Sequence, residues 1–508
     1  MTHKAALLSL GCKVNSYETE RIREDLVEKG FEIVDFDEIA DVYIINTCSV
    51  TNIADRKSRQ MLHRAKSLNP DAVIVATGCY VQTEKDKDKL NEVADILIGN
   101  NHKGEIADAI LQYFTDVSAN IVTDKTNTVS DIENADDCVI GNDKYLEDIA
   151  CEKQVESFSI NDYPERSRAF VRIEDGCNQF CSYCIIPYAR GRVRSRDEAD
   201  ILDEVRALAG KGSKEVVLTG IHISSYGLDN YEKFMKNVSI IEFNSAPLLS
   251  LIKKISEVKG IERIRLGSLE PRIITKEFAL ALKEIPSVCP HFHLSLQSGC
   301  DTVLKRMNRH YTMQEFLDKC AILREVFDRP AITTDVIVGF PGETEEEYKE
   351  SYDKCKEAAF AKMHIFKYSR RRGTVADRMP GQLTEKVKHE RSVSLQQLDD
   401  AMRDTYNGSF IGETVKILVE EIVEESSEIY ALGLTERYVQ VKCSIGALSV
   451  SKRNVPNDTP EMCQREPSLV THRVECPNAN QYINQILSVR IESILKDGIL
   501  LGKVQKNT

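Results

Sequence analysis

Short apolar runs and longer helix-patterned segments alternate twice along this chain, which restricts it to folds in which parallel strands are crossed over by helices. In the first hundred residues the order is AALLSL, SYETERIREDLVEKG, DVYIIN, ADRKSRQMLHRAKSL, AVIVAT and ADILIG. Beyond residue 165 the runs are AFVRI, EVVLTG, RIRLGS, FHLSL, ITTDVIVG and MHIFKYS, with segments such as EADILDEVRALAGKG and EEEYKESYDKCKEAAF between them. The first set predicts an open parallel α/β sheet. The second set, six βα units in succession, predicts a partial barrel two units short of the closed eightfold form.

After residue 385, EKVKHERSVSLQQLDDAMRDTYNG reads as one linking helix, and TVKILVEEI, YALGLTERYVQVKC, ILSVRIESI and GILLGKV then alternate with period two, predicting a small antiparallel β-barrel. The expected divisions are 1–124 for the α/β domain, 125–160 for an acidic connector and 161–400 for the partial barrel. The β-barrel takes 401–508, with an insertion at 451–480. No apolar run approaches the roughly 20 residues that cross a bilayer, and AALLSL runs straight into Gly11 and Cys12, so it reads as a buried strand and not a signal peptide. A cytoplasmic protein is expected. A net charge of −13 excludes a general nucleic-acid coat, so any such contact must be local.

Fifteen cysteines scattered over 508 residues favour metal or redox chemistry over disulfides. Cys12, Cys48 and Cys79 each follow a strand of the first set, at the sheet edge where open α/β folds bind ligands. Cys177, Cys181 and Cys184, in EDGCNQFCSYCIIPYARGRVRSR, are spaced Cys-x3-Cys-x2-Cys after the first barrel strand. Three thiolates can bind three irons of a four-iron cluster and leave the fourth open to a small molecule. The alternatives are a zinc site completed by a distant residue for this triad, and ordinary buried thiols for Cys12, Cys48 and Cys79. Packing accounts for Cys138, Cys151, Cys289, Cys300, Cys320, Cys355, Cys443, Cys463 and Cys476. His291 and His293 are read as alternating on their strand, one facing the barrel interior and neither a ligand.

The Cys-x3-Cys-x2-Cys loop in this barrel context resembles the radical S-adenosylmethionine (SAM) superfamily. With one cysteine after each of three N-terminal strands and a small C-terminal β-barrel, the chain is similar to the methylthiotransferases over nearly its whole length. The resemblance implies SAM and two four-iron, four-sulfur (4Fe-4S) clusters: Cys177, Cys181 and Cys184 hold the SAM cluster, and Cys12, Cys48 and Cys79 an auxiliary one. Tyr183, beside the cysteines, and Gly220, Ser268, Glu270, Ser295 and Gln297, at the later strand ends, are candidates for SAM contacts, the alternative being that a barrel always has polar groups at its strand ends. An electron donor such as flavodoxin or ferredoxin and a sulfur source follow as partners, and no membrane.

The stretches SLGCKVNSYETE and HFHLSLQSGCD look most like the branch that methylthiolates C2 of N6-threonylcarbamoyladenosine at position 37 of tRNA. Isopentenyladenosine in tRNA and a ribosomal-protein aspartate are the alternative targets, and a cluster-carrying protein without catalysis is the reading of another class. The C-terminal barrel resembles the RNA-binding TRAM domain. Residues 403–508 hold 12 basic and 14 acidic side chains, so RNA contact there would be patchy or would draw on arginines of the partial barrel. Candidates are Arg190, Arg192, Arg194 and Arg196, then Lys367, Arg370, Arg371 and Arg372, with internal ion pairing as the other explanation of these runs.

Overall fold

The computed structural model describes residues 2–118, 145–146, 148–156, 159–161, 163, 167–229, 245–425, 428–447 and 480–505. Most of the acidic connector, nearly all of the 451–480 insertion, and Cys138, Cys463 and Cys476 lie outside them.

The N-terminal sheet comprises β1 (Lys4–Ser9), β2 (Glu32–Val34), β3 (Val42–Thr47), β4 (Val73–Gly78) and β5 (Ile96–Ile98), all parallel, in the order β2-β1-β3-β4-β5. β3 and β4 read as unbroken apolar runs because both faces are covered. Tyr43, Ile45, Ile74 and Ala76 enter one core, while Val42, Ile44, Val73 and Val75 enter the other. The edge strand β2, three residues long, was not anticipated. Sequence direction reverses between β1 and β3, the topological switch point at which such sheets take their ligands. Cys12 follows one of these strands and Cys48 the other.

The partial barrel contains β6 (Arg168–Arg172), β7 (Glu174–Asp175), β8 (Arg194–Ser195), β9 (Glu215–Thr219), β10 (Arg263–Leu266), β11 (Ser268–Leu269), β12 (His291–Leu294), β13 (Ala331–Val338) and β14 (Lys362–Lys367). β6, β9 and β10 form one parallel ladder and β11 to β14 another. A parallel bridge from Ile264 to Val288 joins them, so the six long strands stand in sequence order. Phe292, Leu294, Ile332, Val336 and Met363 pack with the surrounding helices. Residues of the opposite parity, including Arg265, His291, His293, Asp335 and His364, line the lumen. His291 and His293 therefore share the inner face, contrary to the alternation expected of them, because residues two apart on a strand point the same way. The helices start where Thr-x-x-Glu occurs: Thr312 with Glu315 and Thr344 with Glu347 form capping boxes.

The helix Glu385–Gly408 coincides with the expected linker and packs Leu395 and Leu398 into the main core. Beyond it, β15 (Thr414–Glu425), β16 (Glu428–Thr435), β17 (Gln440–Ala447), β18 (Ile486–Ile494) and β19 (Leu500–Val504) close in the order β15-β16-β17-β19-β18. The expectation of an antiparallel barrel fails at one seam, where β17 and β19 are parallel. Directions cannot alternate all the way round a ring of five strands, so one such pair is unavoidable.

This barrel also floors the other one. Tyr438, in the β16–β17 turn at φ +63°, stacks on His291 with ring centroids 4.9 Å apart and lies 5.2 and 4.9 Å from the guanidinium carbons of Arg168 and Arg265. Arg263 and Arg265 donate hydrogen bonds to the carbonyls of Leu434 (2.9 Å) and Glu436 (2.9 Å). Replacing Tyr438 with Ala removes this plug and is expected to lower stability by about 2 kcal/mol, read as a fall in the thermal unfolding midpoint.

Candidate functional site

Two glycines bring the first cysteine triad together. Gly11 (φ +108°) precedes Cys12, and a Cβ there would lie 2.7 Å from the Cβ and Sγ of Cys48. Gly78 (φ +99°) precedes Cys79, and a Cβ there would lie 2.4 Å from the carbonyl oxygen of Thr47, the residue before Cys48. Only glycine adopts these angles freely while letting the three strand ends approach so closely. Burial pushes the Cys48 thiol up to about 12, with Cys79 and Cys12 adding to the effect. Burial also raises the Cys12 thiol against the pull of Arg190. Yet Cys12 is solvent-accessible, so its sulfur lines a recess and is not packed into the core. The Asn100 amide donates to the Cys79 sulfur at 3.6 Å and to the Ala189 carbonyl at 2.7 Å.

The second triad sits in the loop after β7. Each of its sulfurs accepts a hydrogen bond: Cys177 from the Gln179 N–H (3.5 Å), Cys184 from the Ile186 N–H (3.4 Å) and Cys181 from the Arg309 guanidinium (3.4 Å). Burial and then Cys181 raise the Cys177 thiol well above its ordinary value and push Cys184 up to about 12. Cys79 also contributes to the rise at Cys184, so the triads lie within electrostatic reach of each other. All twelve described cysteines are free thiols. Sulfurs at Cys12, Cys177, Cys181 and Cys184 that solvent still reaches, mutually repelling as thiolates and, in the second triad, held by N–H donors, suit a polynuclear metal centre better than a packed core.

A buried ionic lock ties the segments carrying the triads. Glu18, on the helix Lys13–Glu28 that Cys12 caps, meets Arg190 at 2.9 Å and Arg172 at 3.3 Å, and also pairs with Lys103. Arg190 ends the helix Ile186–Arg190 just after Cys184. It further bonds Asp175 at 3.1 Å and Asn15 at 2.8 Å. Burial alone would raise the Glu18 carboxyl, but Arg190 and Lys103 hold it well below the usual carboxylate range.

This geometry corrects half of the RNA-contact expectations. Arg190 and Arg194 are buried, Arg194 donating to the Arg190 carbonyl at 2.8 Å. Arg196 is buried against Glu204 at 2.6 Å, and Arg371 against Asp55 at 2.8 Å. A cationic run at the junction of two units is consumed in holding them together. Arg192, Arg370 and Arg372 are exposed, Arg192 lying 4.4 Å from the Phe180 ring within the cysteine loop and Arg370 pairing with Asp377.

Of the residues expected around SAM, Glu270 is the most constrained: fully enclosed, it pairs with Arg272 (2.9 Å) and Arg309 (3.3 Å) and has His222 at 3.6 Å. Burial opposes its ionisation, but Arg309 and the His222 hydrogen bond keep it ionised. Ser295 offers its carbonyl to Arg309 at 3.0 Å. Gln297, at φ +73°, bonds through its backbone to β13. Gly220 lies against the Glu174 carboxylate, Tyr183 is half-buried and edge-on to Phe340, and Ser268 is exposed. Arg309, which joins Cys181, Glu270 and Ser295, escaped the sequence reading, because nothing in MNRHYT marks it as a partner of a loop more than a hundred residues earlier.

The radical SAM superfamily model matches residues 171–355, and that of the uncharacterized protein family UPF0004 matches residues 4–99. The chain is 40% identical over 437 residues to the threonylcarbamoyladenosine tRNA methylthiotransferase MtaB of Bacillus subtilis, covering 86% of this chain and 89% of that protein. It is 38% identical to the protein of the same name from Aquifex aeolicus, covering 86% and 96%. It is 34% identical to tRNA-2-methylthio-N(6)-dimethylallyladenosine synthase of Caldicellulosiruptor saccharolyticus, covering 86% of each. Among solved structures, the radical SAM methyltransferase TsrM from Kitasatospora setae superposes with a TM-score of 0.50 at 16% identity, covering 72% of this chain and 75% of that one, a likeness of fold alone.

The lock makes two predictions. Glu18→Ala strands the buried Lys103 and leaves Arg172 and Arg190 to share Asp175, and is expected to cost about 3–5 kcal/mol in denaturant unfolding. Because the Glu18 pKa in the folded protein lies below its unfolded value, its stabilisation is complete above the ordinary carboxylate range and is lost as pH falls through the folded value. The advantage of the wild type over Glu18→Gln should therefore shrink only on acidification, as measured by thermal midpoints across a pH series.

Proposed function

The chain belongs to the radical SAM tRNA methylthiotransferases, and from this premise we infer that it adds a methylthio group to C2 of N6-threonylcarbamoyladenosine at position 37 of tRNA, using SAM and two 4Fe-4S clusters. The observation that carries this reading is the convergence of two cysteine triads within electrostatic reach, each backed by its own sheet. Cys177, Cys181 and Cys184 would hold the SAM-binding cluster, and Cys12, Cys48 and Cys79 the auxiliary one. When bound, these groups supply the methylated sulfur and the radical that takes the C2 hydrogen, which no side-chain base removes as a proton.

The chain's own residues bind and orient. Arg309 fixes the Cys181 sulfur and the Glu270 carboxylate in one arrangement. Glu270 is an ionised, rigidly held acceptor, suited to hydroxyl or ammonium groups of SAM, and Tyr183 and the Ser295–Gln297 strand end border the same space. Gly220 leaves room for the buried Glu174 carboxylate, which a Cβ there would meet. The exposed Arg192, Arg370 and Arg372 are the candidate arginines that solvent reaches, Arg370 paired with Asp377, and could meet RNA phosphates, and the C-terminal barrel would extend that surface.

The working divisions are 1–124, 161–400 and 401–508, joined through the 125–160 connector. A flavodoxin- or ferredoxin-type electron donor and a separate sulfur source complete the reaction. We place its action in the cytoplasm, with its tRNA substrate; among the described residues no helix is long and apolar enough to cross a membrane.

Two measurements test this reading. In nucleosides digested from the tRNA of a deletion strain, 2-methylthio-N6-threonylcarbamoyladenosine should disappear; its persistence, with loss of the isopentenyladenosine derivative, would move the enzyme to the other tRNA substrate. In reconstituted protein, Cys181→Ala should abolish 5′-deoxyadenosine formation. Cys48→Ala should retain it and lose thiolation, and thiolation surviving in that variant would refute the auxiliary-site assignment.

A further inference from the structure

In a closed βα barrel the lumen is packed by branched aliphatic side chains, but here the inner parity of the strands carries charge and is only partly covered. His293 and Asp335, on adjacent strands, meet at 3.3 Å. His293 also shares a hydrogen bond with Thr333 at 3.0 Å, and the His364 ring stands 5.8 Å away on the next strand. The ligand atoms of His293, Asp335 and His364 all lie within 4.8 Å of one another. Beside them Phe366 is 43% exposed. Tyr438 stacks on His291 at the floor of this polar space.

Lys13 enters the same space from the N-terminal sheet. It directly follows Cys12, is half-buried, and its ammonium lies 6.0 Å from the Tyr438 ring centroid. Its charge reaches both His291 and His364. The neighbouring cations are occupied, Arg265 by Glu215 at 2.7 Å and Arg168 by Glu420. Lys13 has no carboxylate at ion-pair distance among the described residues. A half-desolvated ammonium without a counterion is costly unless something brings one.

The substrate proposed above brings one. On the purine ring C2 and C6 flank N1, so an adenosine presenting C2 to sulfur held near Cys12 carries its N6 substituent into the immediate surroundings of Cys12. In N6-threonylcarbamoyladenosine that substituent bears a carboxylate, a urea and a hydroxyl. We propose that the lumen is the subsite for this side chain, with Lys13 pairing its carboxylate and His293, Asp335 and His364 hydrogen-bonding its urea and hydroxyl. An apolar dimethylallyl group would leave Lys13 without a counterion and give His293, Asp335 and His364 no group to hydrogen-bond, which is how a polar pocket rejects an analogue lacking the matching groups. The inference deepens the methylthiotransferase reading and rests on it.

The test uses the reconstituted holoenzyme and two anticodon stem-loop RNAs, one carrying N6-threonylcarbamoyladenosine and one carrying its methyl ester, which removes the charge at the cost of one added methyl group. The wild type should bind the acid at least about tenfold more tightly than the ester. Lys13→Gln should bind both alike, and Lys13→Arg should restore part of the preference. Iron per chain, matched to wild type, establishes that the variants keep their clusters and fold. A Lys13→Gln protein that still prefers the acid overturns the subsite, as does a wild type that binds acid and ester equally while still thiolating the acid. A wild type that thiolates only dimethylallyl RNA brings down the functional reading itself, and the subsite with it.

Discussion

The geometry of this protein turns on one buried carboxylate. Glu18 lies six residues beyond Cys12 on the helix that Cys12 caps, and Arg190 lies six residues beyond Cys184 on the helix that follows that cysteine. Their pairing, with Lys103 and Arg172 on the same carboxylate, sets how far apart the two triads stand. Such a lock is not a cheap source of stability, since each buried ion gives up several kcal/mol of hydration. What it supplies is orientation: a guanidinium divided among Glu18, Asp175 and Asn15 tolerates little displacement.

Around that lock both units present ligands at the same kind of place, the carboxyl ends of parallel strands. The N-terminal sheet does so at its switch point and the partial barrel at its open mouth. Facing the two mouths toward each other gives a shared chamber with sulfur on two walls. The C-terminal barrel packs Tyr438 against His291, Arg168 and Arg265 at the far end of the lumen. An incomplete barrel suits this arrangement, because the N-terminal unit packs against both of its edge strands, its first helix on β6 and Asn52 and Asp55 on Ser369 and Arg371 just beyond β14.

Much of this was legible in the sequence because it is periodic. The βα alternation, the cysteines at strand ends and the helix Glu385–Gly408 all follow from patterns that survive without tertiary information. What was not legible depends on contacts distant in sequence. The arginines of ARGRVRSR look like a nucleic-acid patch until Glu18 and Glu204, from other elements, are seen to claim them. The parallel seam of β17 with β19 follows from ring closure, which no local pattern records. Arg309 is one cation among many until the fold places it on Cys181. The inner parity of His291 and His293 was in principle readable, since two residues on one strand separated by two positions share a face.

The central claim is that the chamber holds two independent four-iron sites. The most direct measurement is iron and acid-labile sulfide per chain after anaerobic reconstitution, in the wild type and in the protein with Cys177, Cys181 and Cys184 all changed to Ala. The account predicts about eight irons falling to about four. About four irons falling to none would contradict it, leaving Cys12, Cys48 and Cys79 as packing residues.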